Sequence, residues 1–255
     1  VGSEMCIRDS RHTARQAIEA FQNCRAAGFQ NISIDLMYGL PGETLSTWQQ
    51  DLDQALLLHP EHLSAYHLIY EEDTVLWKLR EQHKVEEADE DLSVSLFSTL
   101  IDRLTSEGYD HYEISNFSLP GLYSRHNSSY WTEKKYLGCG PSAHSYNGVS
   151  RQWNVASLDT YIKGISAGTP VFEIEELDLY TRYNDFVITR IRTEWGMPLS
   201  KLRDEFGEKL YDYCLRMAAP HLKQGTLELV NDILKLTRKG IFISDGIMSD
   251  MLWTD

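Results

Sequence analysis

The sequence predicts an α/β chain: the C-terminal part of an incomplete TIM-like (β/α) barrel, followed by a small, mostly helical, winged-helix-like module. Three observations predict it. Between Thr13 and Phe117, stretches of helical and strand period alternate with short connections, the rhythm of a parallel sheet flanked by helices. Only about three strands fit into that stretch, too few to close a barrel. Beyond Asp178 the pattern turns mostly helical, with one hairpin-like run.

The elements follow in order. Thr13 and Gln16 predict a capping box, Ala14, Ile18, Phe21 and Cys24 one helix stripe, and Gly28 its end. A strand is expected over Ile32–Met37, with Ile32, Ile34 and Leu36 buried, Asp35 on the opposite face beside Ser33, and a Gly-Leu-Pro-Gly turn next. A second helix is expected with Ser46 and Gln49 as its cap, Leu45, Trp48, Leu52, Ala55 and Leu56 as its apolar face, and Pro60 as its stop. "HLSAYHLIY" predicts a strand and Thr74–His83 a short helix. "EEADEDL" reads as the solvated start of a longer helix with Leu92, Leu96, Leu100 and Leu104 on its face. "YDHYEISNF" is expected as a third strand. From Ser118 to Ser150 Gly, Pro, Ser, Asn and aromatics dominate without periodicity, so an irregular region is expected. After a helix near Leu158–Ser166 and a linker, "AGTPVFEIEEL", helices are expected from Asp178, from Ser200, near Tyr211–Gln224 and over Arg238–Met251. A hairpin turning at Asn231-Asp232 interrupts them.

Composition bounds function. The 255 residues are 42% hydrophobic and 11% aromatic, enough for a packed core. The net charge of −14 argues against nonspecific binding to nucleic acid or anionic membrane. No apolar run reaches transmembrane length and no signal peptide is visible. Cys6, Cys24, Cys139 and Cys214 are spaced for neither a disulfide framework nor a zinc site, so a reducing cytoplasm is expected. The helical module lacks a Lys/Arg excess, so DNA binding is not expected of it. "VGSEMCIRDS" has no periodicity and resembles a translated sequencing-adapter scar; residues 1–10 are set aside as non-native, and the front of the protein is then expected to be missing.

Three stretches could carry chemistry. Asp35, at a strand end, could accept two hydrogen bonds from a sugar diol, with the following glycines admitting a ligand; equally it could pair with a neighbouring strand beside a plain turn. "SRHNSSYW", Ser124–Trp131, joins a cation, an imidazole, an amide and two aromatics. His126 there could ligate haem iron or be satisfied locally beside packed aromatics. "YLGCGPSAHSYNG", Tyr136–Gly148, could wall a ligand pocket or be a tight loop around a buried free Cys139.

Taken together, "DLMYGLPGET", "YEISNF", "RHNSSYW" and "LGCGPSAHS" resemble, in order and spacing, the radical S-adenosylmethionine family of oxygen-independent coproporphyrinogen III oxidases, and in it the HemW-type haem-chaperone branch. The resemblance runs from Arg11 to the C-terminus. It implies that Asp35 binds the ribose of S-adenosylmethionine, that Arg11 contacts the same cofactor, and that Ile69 and His144 approach it. The oxidases resemble "GMDHFA" and "HRNFQGYT" where this chain has "EISNF" and "RHNSSYW". The chaperone branch, which binds haem and delivers it to acceptor proteins, is therefore expected, and an oxidase converting two propionates to vinyls is the alternative. His126 is the expected haem contact, with Tyr130 and Trp131 as stacking walls. The family's Cys-x-x-x-Cys-x-x-Cys, which holds a [4Fe–4S] cluster, is absent, so the chain alone is expected to bind no cluster and to be inactive. The expected organisation is residues 11–117 as barrel, 118–176 as connecting region and 177–255 as the C-terminal helical module, with an open sheet edge prone to aggregation.

Overall fold

A computed structural model describes residues 13–254; the expected non-native segment and Arg11 lie outside the described residues. The chain divides into two compact units, one ending at Ser124 and the other beginning at Arg125.

In the first unit, helix α1 (Ala14–Ala26) leads to strand β1 (Ser33–Tyr38), helix α2 (Leu45–Leu57) and strand β2 (His62–His67). Helices α3 (Val75–Glu81) and α4 (Glu90–Ser106) and strands β3 (Asp110–Glu113) and β4 (Asn116–Ser118) follow. The sheet order is β1-β2-β4-β3. β1 and β2 run parallel, as expected, but β4 is antiparallel to both β2 and β3. The single strand expected over "YDHYEISNF" is thus a hairpin, and the sheet is mixed. Glu113 explains the fold-back: its carboxylate accepts the Ser115 N–H at 3.1 Å and the Asn116 amide at 2.5 Å, pinching the chain between them.

The two faces of this sheet differ. Register places Ile34, Leu36 and Tyr38 of β1 beside Leu63, Ala65 and His67 of β2, and Phe117 of β4 beside Leu63. Tyr38 touches Trp48 of α2 and Phe97 of α4, and Trp48 Nε1 donates to the Leu96 carbonyl at 3.0 Å. Trp48, Leu52, Leu96, Leu100 and Leu104 are all buried there. Ile32, Ile34 and Leu36 are only half-buried, because β1 lies at the edge of the described sheet. Of the α1 stripe only Phe21 is buried, although the Thr13–Gln16 capping box forms as expected. The α2 cap lies two residues earlier than expected: Thr44 and Thr47 exchange the pair of bonds that a Ser/Glu box makes.

In the second unit, the expected irregular region holds regular structure. Helix α5 (Arg125–Trp131) is followed by strands β5 (His144–Tyr146) and β6 (Ser150–Asn154), helix α6 (Leu158–Ser166) and strand β7 (Phe172–Glu176). The three strands form an antiparallel sheet, β5-β6-β7, so the expected linker supplies an edge strand. Short strands alternating His, Tyr, Arg and Trp with small polar residues lack the apolar period that sequence reading relies on.

The remaining elements form the helical module: α7 (Leu179–Ile191), β8 (Met197–Pro198), α8 (Leu199–Gln224), β9 (Leu227–Val230), β10 (Ile233–Leu236), α9 (Arg238–Ile241) and α10 (Ser244–Met251). The hairpin turns at Asn231 and Asp232, both with positive φ, as expected. Gly207, at φ 81° and ψ 172°, kinks α8 into two pieces. The final helix is likewise two short ones. Tyr183, Phe186, Leu202, Leu210, Cys214 and Met251 are fully or almost fully buried and make its core. No helix among the described residues is long and apolar enough to cross a membrane.

Candidate functional site

The first unit's second sheet face is polar across all four strands. Register aligns Ser33, His62, Ser118 and Asp110 in one row, and Asp35, Ser64, Asn116 and Glu113 in the next. His62, Ser64, Glu113, Asn116 and Ser118 are buried, and the Ser118 hydroxyl has no partner. Buried polar rows are costly unless satisfied, so a sheet rarely carries two of them idly. His62 is satisfied on both sides: Ser33 Oγ lies 2.7 Å from Nδ1 and the Tyr112 hydroxyl 2.6 Å from Nε2. Burial pushes its pKa down, against an opposing pull from Asp35.

Asp35 sits mid-strand on this face, half-buried, rather than at the strand end. The turn after it is closed by the chain itself. Glu43 accepts the Gly39 N–H at 2.6 Å and the Leu40 N–H at 3.2 Å, and the His67 ring lies where a Cβ on Gly39 would meet it at 2.6 Å. Gly39 is required by its own neighbours and its positive φ. Ile69 lies just past the C-terminal end of β2 and is exposed.

The other expected site residues lie in the second unit. "RHNSSYW" is α5, a helix instead of a loop. His126 and Tyr130 are one turn apart and exposed, with the Tyr130 hydroxyl 3.2 Å from His126 Nε2 and the rings 5.1 Å apart. Trp131 is turned away: half-buried, it lies under the Arg192 guanidinium at 4.3 Å, so the two expected stacking walls do not share a face. The ring series continues from Tyr130 to Tyr136 (5.1 Å) and from Tyr136 to Tyr146 (6.0 Å). His144 begins β5, exposed, opposite Trp153 with the rings 5.9 Å apart, and Trp153 Nε1 donates to Glu173 at 3.1 Å. His144 and Tyr146 alternate onto one sheet face, together with Arg151 and Trp153.

Glu133 anchors the end of α5. Its carboxylate accepts from Arg190 Nη2 at 2.9 Å and Lys201 Nζ at 2.8 Å. Burial alone would raise its pKa; the bonds from Lys201 and Arg190 outweigh that and hold it below the usual value. Both perturbed groups favour neutral pH. A His with a depressed pKa must take up a proton at a cost when folded, so its stabilising effect is full above about 6.5 and fades below it. Glu133's contribution is present above the ordinary Glu range and is lost as pH falls through its lowered value. Stability should therefore drop in two stages on acidification, and His62→Asn should remove the upper one in a pH series of denaturant melts.

The Gly-Cys-Gly segment differs from its expectation. Cys139 is exposed, not buried. A Cβ on Gly138 would sit 2.1 Å from the His144 carbonyl oxygen, so this glycine admits the chain's own backbone. Asn154 donates to the Gly138 and Gly140 carbonyls at 3.3 and 2.9 Å, and the Gly140 N–H donates to the Tyr161 hydroxyl at 2.9 Å.

The HemN C-terminal domain family matches residues 177–243. Haem chaperone HemW of Mycobacterium tuberculosis (strain H37Rv) is 31% identical over 245 residues, 96% of this chain and 61% of that protein. Haem chaperone HemW of Bacillus subtilis (strain 168) is 28% identical, over 94% of this chain and 64% of that protein. The solved structure of coproporphyrinogen III oxidase (HemN) from Escherichia coli, titled a radical SAM enzyme, shares the fold. It matches with a TM-score of 0.76 at 19% identity, over 95% of this chain and 59% of that one. By these similarities the chain is HemW/HemN-like.

It spans less than two thirds of the length of these relatives. Among the described residues of the HemW/HemN-like chain, no three His, Cys, Asp or Glu side chains come together as a metal site. Burial pushes the Cys214 thiol up to about 11, the opposite of what a thiolate ligand needs. An iron–sulfur cluster does not fit the cysteines described. The sequence reading missed the polar rows, although their signal, a polar residue at every second position of "SID", "HLS" and "NFS", was present.

Proposed function

We propose that the chain is part of a haem-binding protein that passes haem to acceptor proteins, with His126 as the haem contact. The observation that carries this reading is α5: it presents an exposed imidazole with a tyrosine hydroxyl on one nitrogen and an aromatic series beside it. Imidazole is a common axial ligand of haem iron, and rings suit a flat macrocycle. If Nε2–H donates to Tyr130, Nδ1 offers its lone pair to iron; if the hydroxyl donates, breaking that bond frees Nε2. The names of the similar HemW proteins agree with this reading.

The polar rows suit the sugar of S-adenosylmethionine. Asp35 supplies the acceptor for a diol, and Ile69 is proposed as a further contact within the same unit. Asp35→Asn should weaken S-adenosylmethionine binding by roughly ten- to a hundredfold, the worth of a hydrogen bond to a charged group, read by calorimetry.

The test of the main reading is a Soret titration of the full chain with haemin, in competition with coproporphyrinogen III. Retention of haemin at one equivalent, with a ligand-shifted band, is expected. Displacement of haemin by coproporphyrinogen, or an unshifted band, would overturn it in favour of the oxidase.

A further inference from the structure

An acidic chain meets a difficulty in taking up haem, whose two propionates are anionic. The net charge is −14, yet from Leu119 to Leu158 the only charged residues are Arg125, Lys134, Lys135, Arg151 and the acid Glu133. This cationic stretch holds both α5 and the Gly-Cys-Gly segment. Not all of its charge is available. Arg151 is engaged by Asp185 and Glu175, and Glu133 is engaged by Arg190 and Lys201. Lys134 and Lys135 are exposed, and the acid next to them is thus committed elsewhere.

Their place relative to His126 is set by the fold. The Lys134 N–H closes α5 on the Ser129 carbonyl at 3.2 Å, and Lys135 precedes Tyr136, whose ring lies 5.1 Å from Tyr130. His126, Tyr130 and Tyr136 therefore form a line of rings that starts at the imidazole, and Lys134 and Lys135, both exposed, immediately precede its last member in the chain. A porphyrin ligated at one end of this line carries its propionates beyond the ring edge.

We propose that Lys134 and Lys135 grip the haem propionates, making the site specific for a metalloporphyrin with free carboxylates. This deepens the reading of His126 as the haem contact and rests on it. An ammonium binds a carboxylate as a point charge without fixed geometry, suited to holding a ligand that is later handed on.

The experiment compares haemin with haemin dimethyl ester, whose carboxylates are blocked, on the full chain by Soret titration. The native chain should bind haemin roughly three- to tenfold more tightly than the ester, the scale of exposed charge pairs. Rising salt should erode that preference. The double variant Lys134→Gln/Lys135→Gln should bind both ligands alike, at the ester's affinity, with an unchanged ligand-shifted band. Equal binding of the two ligands by the native chain, or a preference that survives in the double variant, overturns the proposal while leaving haem binding intact. Absence of haemin binding by the native chain overturns the underlying reading, and the proposal with it.

Discussion

Trp48→Ala is expected to be the most damaging single change in the first unit, costing about 3–5 kcal/mol. The indole is 1% exposed, packs 5.3 Å from the Tyr38 ring, and ties α2 to α4 through the Leu96 carbonyl. Truncation leaves a cavity between the sheet and both helices and removes a buried side-chain hydrogen bond between them, leaving the exposed Arg103–Asp53 pair to link the two helices. Small domains have only about 5–15 kcal/mol of total stability, so much of the unit's margin would go. Trp48→Phe keeps most of the volume and loses the hydrogen bond, for about 1–2 kcal/mol. Denaturant melts followed by circular dichroism rank the two. A similar cost for both would mean that the hydrogen bond, not the packing, dominates.

Gly138→Ala is expected to come second, at about 3 kcal/mol, the upper end of ordinary overpacking. The added Cβ would meet His144 O at 2.1 Å, His144 C at 2.7 Å and Ala143 C at 2.8 Å. These are backbone atoms, so no rotamer change can relieve the clash; β5 must shift, and His144 with it. Gly140 gives an internal control. It needs its positive φ of 114° but has nothing within 4 Å of a Cβ, so Gly140→Ala should cost about 1–2 kcal/mol from backbone strain alone. A larger loss at Gly140 than at Gly138 would contradict the packing account of this segment.

Much of the fold could be read because long helices advertise themselves. Leu96, Leu100 and Leu104, and Tyr183 with Phe186 and Val187, are regular apolar faces, and the Asn231-Asp232 turn follows from its chemistry. Strands of three to five residues did not advertise themselves. β4, β5 and β7 are too short for a period to emerge, and the β3–β4 fold-back depends on a Glu113 carboxylate whose partners lie in the turn itself. The site was legible as motifs and illegible as geometry. Nothing in "RHNSSYW" alone says that His126 and Tyr130 share a face while Trp131 turns under Arg192, since that requires the stretch to be helical and Arg192 to be near. Likewise "LGCGPSAHS" suggests room for a ligand, whereas Gly138 accommodates a carbonyl of the chain itself, that of His144 across a turn.

The most direct measurement is the haemin difference spectrum of the full chain against His126→Ala, with Tyr130→Phe alongside. If His126 is the iron contact, the alanine variant loses the ligand-shifted Soret band and binds at least tenfold more weakly, whereas Tyr130→Phe keeps the band with altered affinity. An unchanged band and affinity in His126→Ala would contradict the assignment.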